Sequence, residues 1–265
     1  MDYLNYGKST NPLEHLPEEP KTTKNFISNQ DDEFVLDDFS FGDLVNKTTP
    51  SPPSPNTEKN KILQLFPIPI VISQYPKNYD KELEWIRNHE VRKTCEQDFS
   101  LFNRQSKETF ILDKPELVNI REFIQYQLNG YISQIMAASD EIVITQSWLN
   151  KNKKGEYHHE HTHPNSIISG VWYPQIDETL PPIIFTKKNV RDVNLTIEEY
   201  NAYNCSIFKL PLKMGELIIF PSNLQHSVPI NNSDEERISL SFNTWVKGDL
   251  GNIYSLTYLP LDRCV

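Results

Sequence analysis

Cysteine is scarce in this chain: Cys95, Cys205 and Cys264 are far apart and form no Cys-x-x-Cys pair. An odd, scattered set of this kind supports neither a disulfide framework nor a sulfur-ligated metal, and it points to a reducing compartment. Long apolar runs are missing too. No stretch approaches the roughly 18 residues of a membrane span, and the start Met-Asp-Tyr-Leu-Asn lacks the basic-then-apolar order of a secretion signal. The expectation is a soluble, cytoplasmic protein with no membrane partner. Positive charge is also short, with 26 Lys and Arg against 36 Asp and Glu and a net charge of −10 over 265 residues. That balance argues against a phosphate backbone as ligand, so nucleic acid is not expected as a partner.

The acidity is uneven. Residues 1–60 hold 5 basic and 11 acidic side chains and 7 of the 19 prolines, closing on Pro50-Ser-Pro-Pro-Ser-Pro55. Such a segment cannot bury enough apolar area to offset about 1 to 2 kcal/mol per residue of backbone ordering. It is expected to be a disordered acidic, Pro-rich tail, with the folded domain over residues 61–265. Inside the tail, residues 31–41 (Asp-Asp-Glu-Phe-Val-Leu-Asp-Asp-Phe-Ser-Phe) alternate acidic and bulky apolar side chains, a pattern suited to docking on a protein partner.

Beyond the tail, Leu63 to Ile72 is apolar and β-branched with two prolines, as an edge strand would be. Lys81 to His89 and Lys114 to Met136 repeat apolar residues every three or four positions, predicting amphipathic helices, the second capped by Asp113 with Pro115 in its first turn. From residue 142 onward the runs shorten. Segments 142–149, 167–173, 182–186, 206–212, 216–220, 237–245 and 253–258 read as seven strands separated by Pro, Gly, Asn and Asp, which predicts a jelly-roll β-core with flanking helices. The polar stretch from Ile176 to Asn204 reads as an insertion able to act as a lid.

Five of the seven histidines fall into two short segments: His158, His159, His161 and His163 in one, and His226 in the other. Residues two apart on a strand face the same side, so His161 and His163 can chelate one ion while Thr162 points away. His226 supplies the distant third ligand of a facial site. A second register is open, in which His158 and Glu160 bind and give a two-histidine, one-carboxylate triad. The ligand set affects the ion, because three neutral imidazoles leave it one unit more positive. A solvated histidine-rich loop is the plainer reading of the first segment, but it leaves the His226 segment unexplained. Eleven residues after His226, Arg237, Ser239, Ser241 and Asn243 share one face of a strand. There a guanidinium and a hydroxyl can hold one carboxylate between them, unless Arg237 instead pairs with Glu235 or Glu236.

Residues 63–245 resemble the 2-oxoglutarate and iron(II) dependent oxygenase superfamily, and more narrowly a branch found in bacteria and viruses of marine bacteria. The resemblance is carried by Leu65-Phe-Pro-Ile-Pro-Ile-Val71, Ser147-Trp-Leu-Asn150, Gly155 to Tyr173, Leu217 to His226 and Glu236-Arg-Ile-Ser-Leu-Ser-Phe-Asn243. It implies a double-stranded β-helix with Fe(II) at one mouth, 2-oxoglutarate as cosubstrate and O₂ as co-reactant. It places the metal ligands at His161, His163 and His226, with Glu160 as the alternative, and the cosubstrate carboxylate on Arg237 and Ser239. The implied reaction hydroxylates a small-molecule or protein substrate with release of succinate and CO₂. His163 stands where the superfamily usually has a carboxylate. This departure admits a three-histidine, cupin-type iron dioxygenase without 2-oxoglutarate, and a non-enzymatic β-module in a larger assembly is the reading from outside enzymes. His158 and His159 are expected beside the site or at its entrance. Asn150 and Tyr173 either line the pocket or are paired core polar groups.

Overall fold

The computed structural model describes residues 64–93, 102–188 and 196–261. The tail expected over residues 1–60 lies outside the described residues, and with it the docking segment at 31–41.

Eight strands make the body of the domain: β4 (Ile142–Asn152), β5 (His158–His161), β6 (Ile168–Gln175), β7 (Ile183–Thr186), β8 (Ile207–Leu210), β9 (Glu216–Pro221), β10 (Gln225–Val228) and β11 (Arg237–Val246). They divide into two antiparallel sheets ordered β9-β6-β11-β4 and β5-β10-β7-β8. The chain therefore changes sheet after every strand except within the β7-β8 hairpin. This is the wiring of a jelly roll, or double-stranded β-helix, as the strand spacing predicts. The larger sheet is extended by β1 (Val71–Gln74) against β9, and by β3 (Arg104–Ser106) and then β2 (Val91–Lys93) beyond β4.

Three of the short strands, β2, β3 and β10, have too little apolar character to show in the sequence, and β5 ends at His161, short of His163. The strand expected at 253–258 is instead an exposed turn, with Tyr254 96% and Leu256 93% exposed. The edge strand expected from Leu63 begins only at Val71, after Pro67 and Pro69, which offer no ladder N–H. In the 176–204 stretch, Ile176, Leu180, Ile183 and Phe185 are core residues, and residues 189–195 lie outside the described set. The first half of the expected lid is thus part of the roll.

Helix α1 (Asp80–Asn88) forms where its periodicity places it. Lys151 Nζ donates to the carbonyls of Arg87 and His89 at 2.8 and 3.0 Å, setting a cation at the helix C-terminus. The second expected helix divides into a 3-10 turn at Pro115–Leu117, helix α2 (Val118–Gly130) and a π-turn at Tyr131–Ile135. Asp113 does not cap it. Lys114, forced toward extended backbone by Pro115, breaks the path, and Asp113 pairs instead with Arg121 Nη1 at 3.1 Å. Helix α2 buries Ile120, Phe123, Ile124 and Leu128 and packs beside β4. A core cluster joins the two sheets through Val171, Ile218 and Phe220 on one side and Ile183, Phe185 and Leu210 on the other. At Gly170 the sheet and a ring approach so closely that a Cβ would stand 2.3 Å from Phe242 Cζ and 2.7 Å from the Ile218 carbonyl oxygen. Among the described residues no helix is long and apolar enough to cross a membrane.

Candidate metal centre

The small sheet sets the first two imidazoles side by side. His226 on β10 is the ladder partner of His161 on β5, whereas Val228 pairs with His158, so three residues of β10 face four of β5. This bulge turns His158 and His161 to one side, although regular alternation would put residues three apart on opposite faces, and their rings lie 4.4 Å apart. His163 joins them by another route than the strand alternation expected. It lies past the end of β5, anchored by its N–H to the Ser222 carbonyl at 2.9 Å. The ligand nitrogens of His161, His163 and His226 lie within 4.8 Å of one another.

Each ring is held by its Nδ1. In His161 that atom is 2.8 Å from the His159 carbonyl oxygen, and in His226 2.9 Å from the Leu224 carbonyl oxygen. In His163 it is 2.5 Å from Asn243 Oδ1, which also accepts from Ser169 Oγ at 2.9 Å. All three partners are acceptors, so each Nδ1 carries the proton and each Nε2 keeps its lone pair. Two such lone pairs, on His161 and His163, face each other at 3.2 Å. That spacing suits a cation, since two nitrogens at right angles on an ion with bonds of about 2.1 Å stand about 3.0 Å apart. Burial holds the imidazolium of His161 down to about 4 and that of His226 down to about 3, and it lowers His163 as well. Neutral imidazoles fixed in the ligating tautomer fit a divalent transition metal such as iron.

Glu160, the alternative ligand, is exposed and outside this group. His158 does not join the trio but lies tilted against His161. Burial first, then the neighbouring imidazoles and Arg237, hold it well below the usual range. His159 is exposed and sits against Phe102 with ring centres 5.5 Å apart. The two are thus a wall and a rim of the site.

The other end of the interior is set by Arg237, only 2% exposed. Its Nε donates to the Pro181 carbonyl at 3.0 Å, its Nη1 to Ser239 Oγ at 3.2 Å, and its guanidinium carbon lies 5.1 Å from the centre of the Tyr173 ring. No carboxylate of the described residues pairs with it, and burial lowers its pKa. The pairing with Glu235 or Glu236 does not form. A buried guanidinium of this kind is costly unless an anion completes it. Tyr173, pushed up to about 12 by burial, lies against Arg237, whereas Asn150 is paired with Asn103, Gln105 and Ser241. Of the two polar residues left open by the sequence, Asn150 is a paired core group, and Tyr173 is a fully buried member of the core cluster whose ring faces Arg237. The role of Asn243 in holding His163 was signalled only by its place on the polar face of β11.

Residues 146–243, which run from β4 into β11, match the model of a family described as "Putative 2OG-Fe(II) oxygenase". No curated protein matches the chain. Among solved structures with a similar backbone is SnoK, a non-heme alpha-ketoglutarate-dependent carbocyclase from nogalamycin biosynthesis, at 13% identity over 69% of this chain and 81% of that one, TM-score 0.47. HygX from Streptomyces hygroscopicus, with nickel and 2-oxoglutarate bound, matches at 8% identity over 67% and 82%, TM-score 0.47. A prolyl-4-hydroxylase from Pseudomonas putida matches at 12% identity over 68% and 93%, TM-score 0.46.

Proposed function

We propose that this chain, whose strands from β4 into β11 match a 2OG-Fe(II) oxygenase family, is an iron(II)- and 2-oxoglutarate-dependent dioxygenase that hydroxylates a small-molecule or protein substrate in the cytoplasm. The observation that carries this reading is the pairing of two half-sites in one jelly roll. Three imidazoles present Nε2 lone pairs to one point, and a buried guanidinium lacks its anion. His161, His163 and His226 hold the iron, while Arg237 and Ser239 take the far carboxylate of 2-oxoglutarate. Bound iron supplies O₂ activation, by which one oxygen atom enters succinate as CO₂ leaves and the other enters a substrate C–H bond as a hydroxyl.

The protein's own part is binding and orientation. Asn243 and the carbonyls of His159 and Leu224 keep the three rings in the ligating tautomer, so no proton has to leave when the metal arrives. Residues 31–41 are retained as a docking segment for a protein partner.

Anaerobic addition of Fe(II) and 2-oxoglutarate should give a visible metal-to-ligand charge-transfer band. Absence of that band together with absence of 2-oxoglutarate binding by calorimetry would overturn the proposal. One observation favours a second reading: Glu160 is outside the cluster, so the ligand set is all imidazole, as in a cupin-type dioxygenase that needs no 2-oxoglutarate. Oxygen consumption without succinate would select it.

A further inference from the structure

The two sheets do not end together. Beyond β4 the large sheet continues with β3 and β2, whereas the small sheet stops at β5, the strand that follows β4 by the turn over residues 153–157. The ladder carries one face of the large sheet outward past this point: Ser239 is paired with Asn150, Asn150 with Gln105, and Gln105 with Arg92. Asn243, which holds His163, is on the same face. Its outer end, with half-buried Gln105 and exposed Arg92, has no described strand of the small sheet to cover it. A second row runs to the same gap from the small sheet. Phe208, Phe185, His226 and His161 are successive ladder partners across β8, β7, β10 and β5, and the row ends at His161 because no described strand pairs with the outer edge of β5. Just before that edge, Asn103 N–H donates to the Tyr157 carbonyl at 3.0 Å, and the chain then turns away into β3. Phe102 sets its ring 5.1 Å from Tyr157 and 5.5 Å from exposed His159, an aromatic rim where the edge begins.

We infer that the gap beside β5 takes an extended segment of a protein substrate as an added strand, and that the residue set opposite His161 is the one hydroxylated. This names the substrate class within the function proposed above and rests on it. The residue's C–H bond becomes C–OH while O₂ and 2-oxoglutarate give succinate and CO₂. A strand edge offers main-chain N–H and C=O groups at a repeat that another extended backbone matches, so the occupant is a peptide and not a small molecule. Adjacent strands lie about 4.8 Å apart, with directly opposed Cβ atoms about 4.5 to 5.5 Å apart. The inward side chain that comes next in the row after His226 and His161 therefore enters the same interior as the three imidazoles. Its neighbours along the segment point away from the metal, and residues two places off return to this face, where one of them meets the Phe102 and His159 rings. The large sheet, about 10 Å across the gap, gives the segment a polar floor in Gln105 and Arg92.

The test selects a displayed library of random peptides on the full chain loaded with Mn(II) and 2-oxoglutarate without O₂, and resynthesises the enriched sequences with single N-methyl amides. Methylation at every second amide of the bound stretch should weaken binding about tenfold or more, the scale of a main-chain hydrogen bond lost with its partner left buried, and methylation of the amides between should not. That alternation is the mark of an added strand, and a peptide lying in a groove by its side chains does not produce it. Mn(II) should broaden the proton signals of one peptide residue above all others. With Fe(II) and O₂ in place of Mn(II), mass spectrometry should find one oxygen atom added to that residue. If the protein binds Mn(II) and 2-oxoglutarate, the inference alone is overturned by any of four results: no enriched peptide, no alternation, broadening spread evenly along the peptide, or no added oxygen. Protein that binds neither Mn(II) nor 2-oxoglutarate overturns the proposed function, and this inference with it.

Discussion

Asn243→Ala tests the metal centre through a residue that touches no metal. Asn243 Oδ1 is the acceptor for His163 Nδ1 at 2.5 Å and for Ser169 Oγ at 2.9 Å. The second bond is expendable, because Ser169 Oγ also lies 2.8 Å from Ser222 Oγ and 3.3 Å from Ser166 Oγ. The first is not, since His163 has no other hydrogen bond on that nitrogen, and without it the ring can rotate or carry its proton on Nε2. Loss of such a partner costs about 10- to 100-fold in metal affinity, or about 1.4 to 2.7 kcal/mol. Asn243→Asp keeps the acceptor and adds a charge, so it should bind metal at least as tightly as the wild type. Competition of Co(II)-loaded protein against a chelator measures both variants, and thermal melts of the metal-free forms report folding. If Asn243→Ala folds and holds Co(II) as tightly as the wild type, His163 is not a ligand oriented by Asn243, and the ligand set must be redrawn.

Three further outcomes are expected. Arg237→Ala should weaken 2-oxoglutarate by about 1.5 to 3 kcal/mol in calorimetry while leaving metal affinity unchanged; unchanged 2-oxoglutarate affinity would move the carboxylate clamp elsewhere. Gly170→Ala should destabilise the fold by about 1 to 3 kcal/mol or more in urea unfolding, because the new methyl meets Phe242 Cζ at 2.3 Å and backbone oxygen at 2.7 Å, and only the ring can yield. The third concerns pH. His161 and His226 are held down to about 4 and about 3 in the metal-free fold, whereas the unfolded chain takes up these protons near pH 6.5. The unfolded state therefore binds more protons between these limits, and metal-free stability should fall as pH drops below about 6.5, by up to about 1.4 kcal/mol per pH unit for each ring. His226→Gln should show a shallower loss between pH 6 and 4.5; parallel curves would contradict the burial argument.

Much of the site was legible because its chemistry is local in sequence. The His161/His163 pair, the His226 segment and the alternation of Arg237, Ser239, Ser241 and Asn243 can each be read from a handful of neighbouring residues. What could not be read depends on three-dimensional accidents of backbone. The bulge opposite His226 adds a residue to β5 and brings His158 inward, which the period-two rule forbids, and no composition signal marks it. Strands of three or four residues, such as β3 and β10, carry too little side-chain pattern to stand out; they exist because longer neighbours offer them a ladder. Lys114 shows the reverse: the three-four periodicity runs through it, and a single steric effect from Pro115 overrides it.

The separation of the two half-sites has a simple structural origin. Asn243, which holds His163 by its Nδ1, and Arg237, the buried guanidinium proposed to take an anion, stand on one face of the same strand, six residues apart, or about 20 Å along the backbone at 3.3 Å per residue. Strand β11 is paired with β4 along its whole length and with β6 over much of it, and its opposite face is locked by Ile238, Leu240 and Phe242, none more than 1% exposed. A strand held on both edges and one face cannot shift one end relative to the other without breaking the large sheet. Arg237 and His163 are thereby set from one strand of the large sheet, while His161 and His226 are set from the small one, so on the proposed reading the length of the ligand between them is dictated by strands and not by a mobile loop. Changes in loops around the site should accordingly alter which substrate enters, while changes on β11 should alter which oxo acid fits.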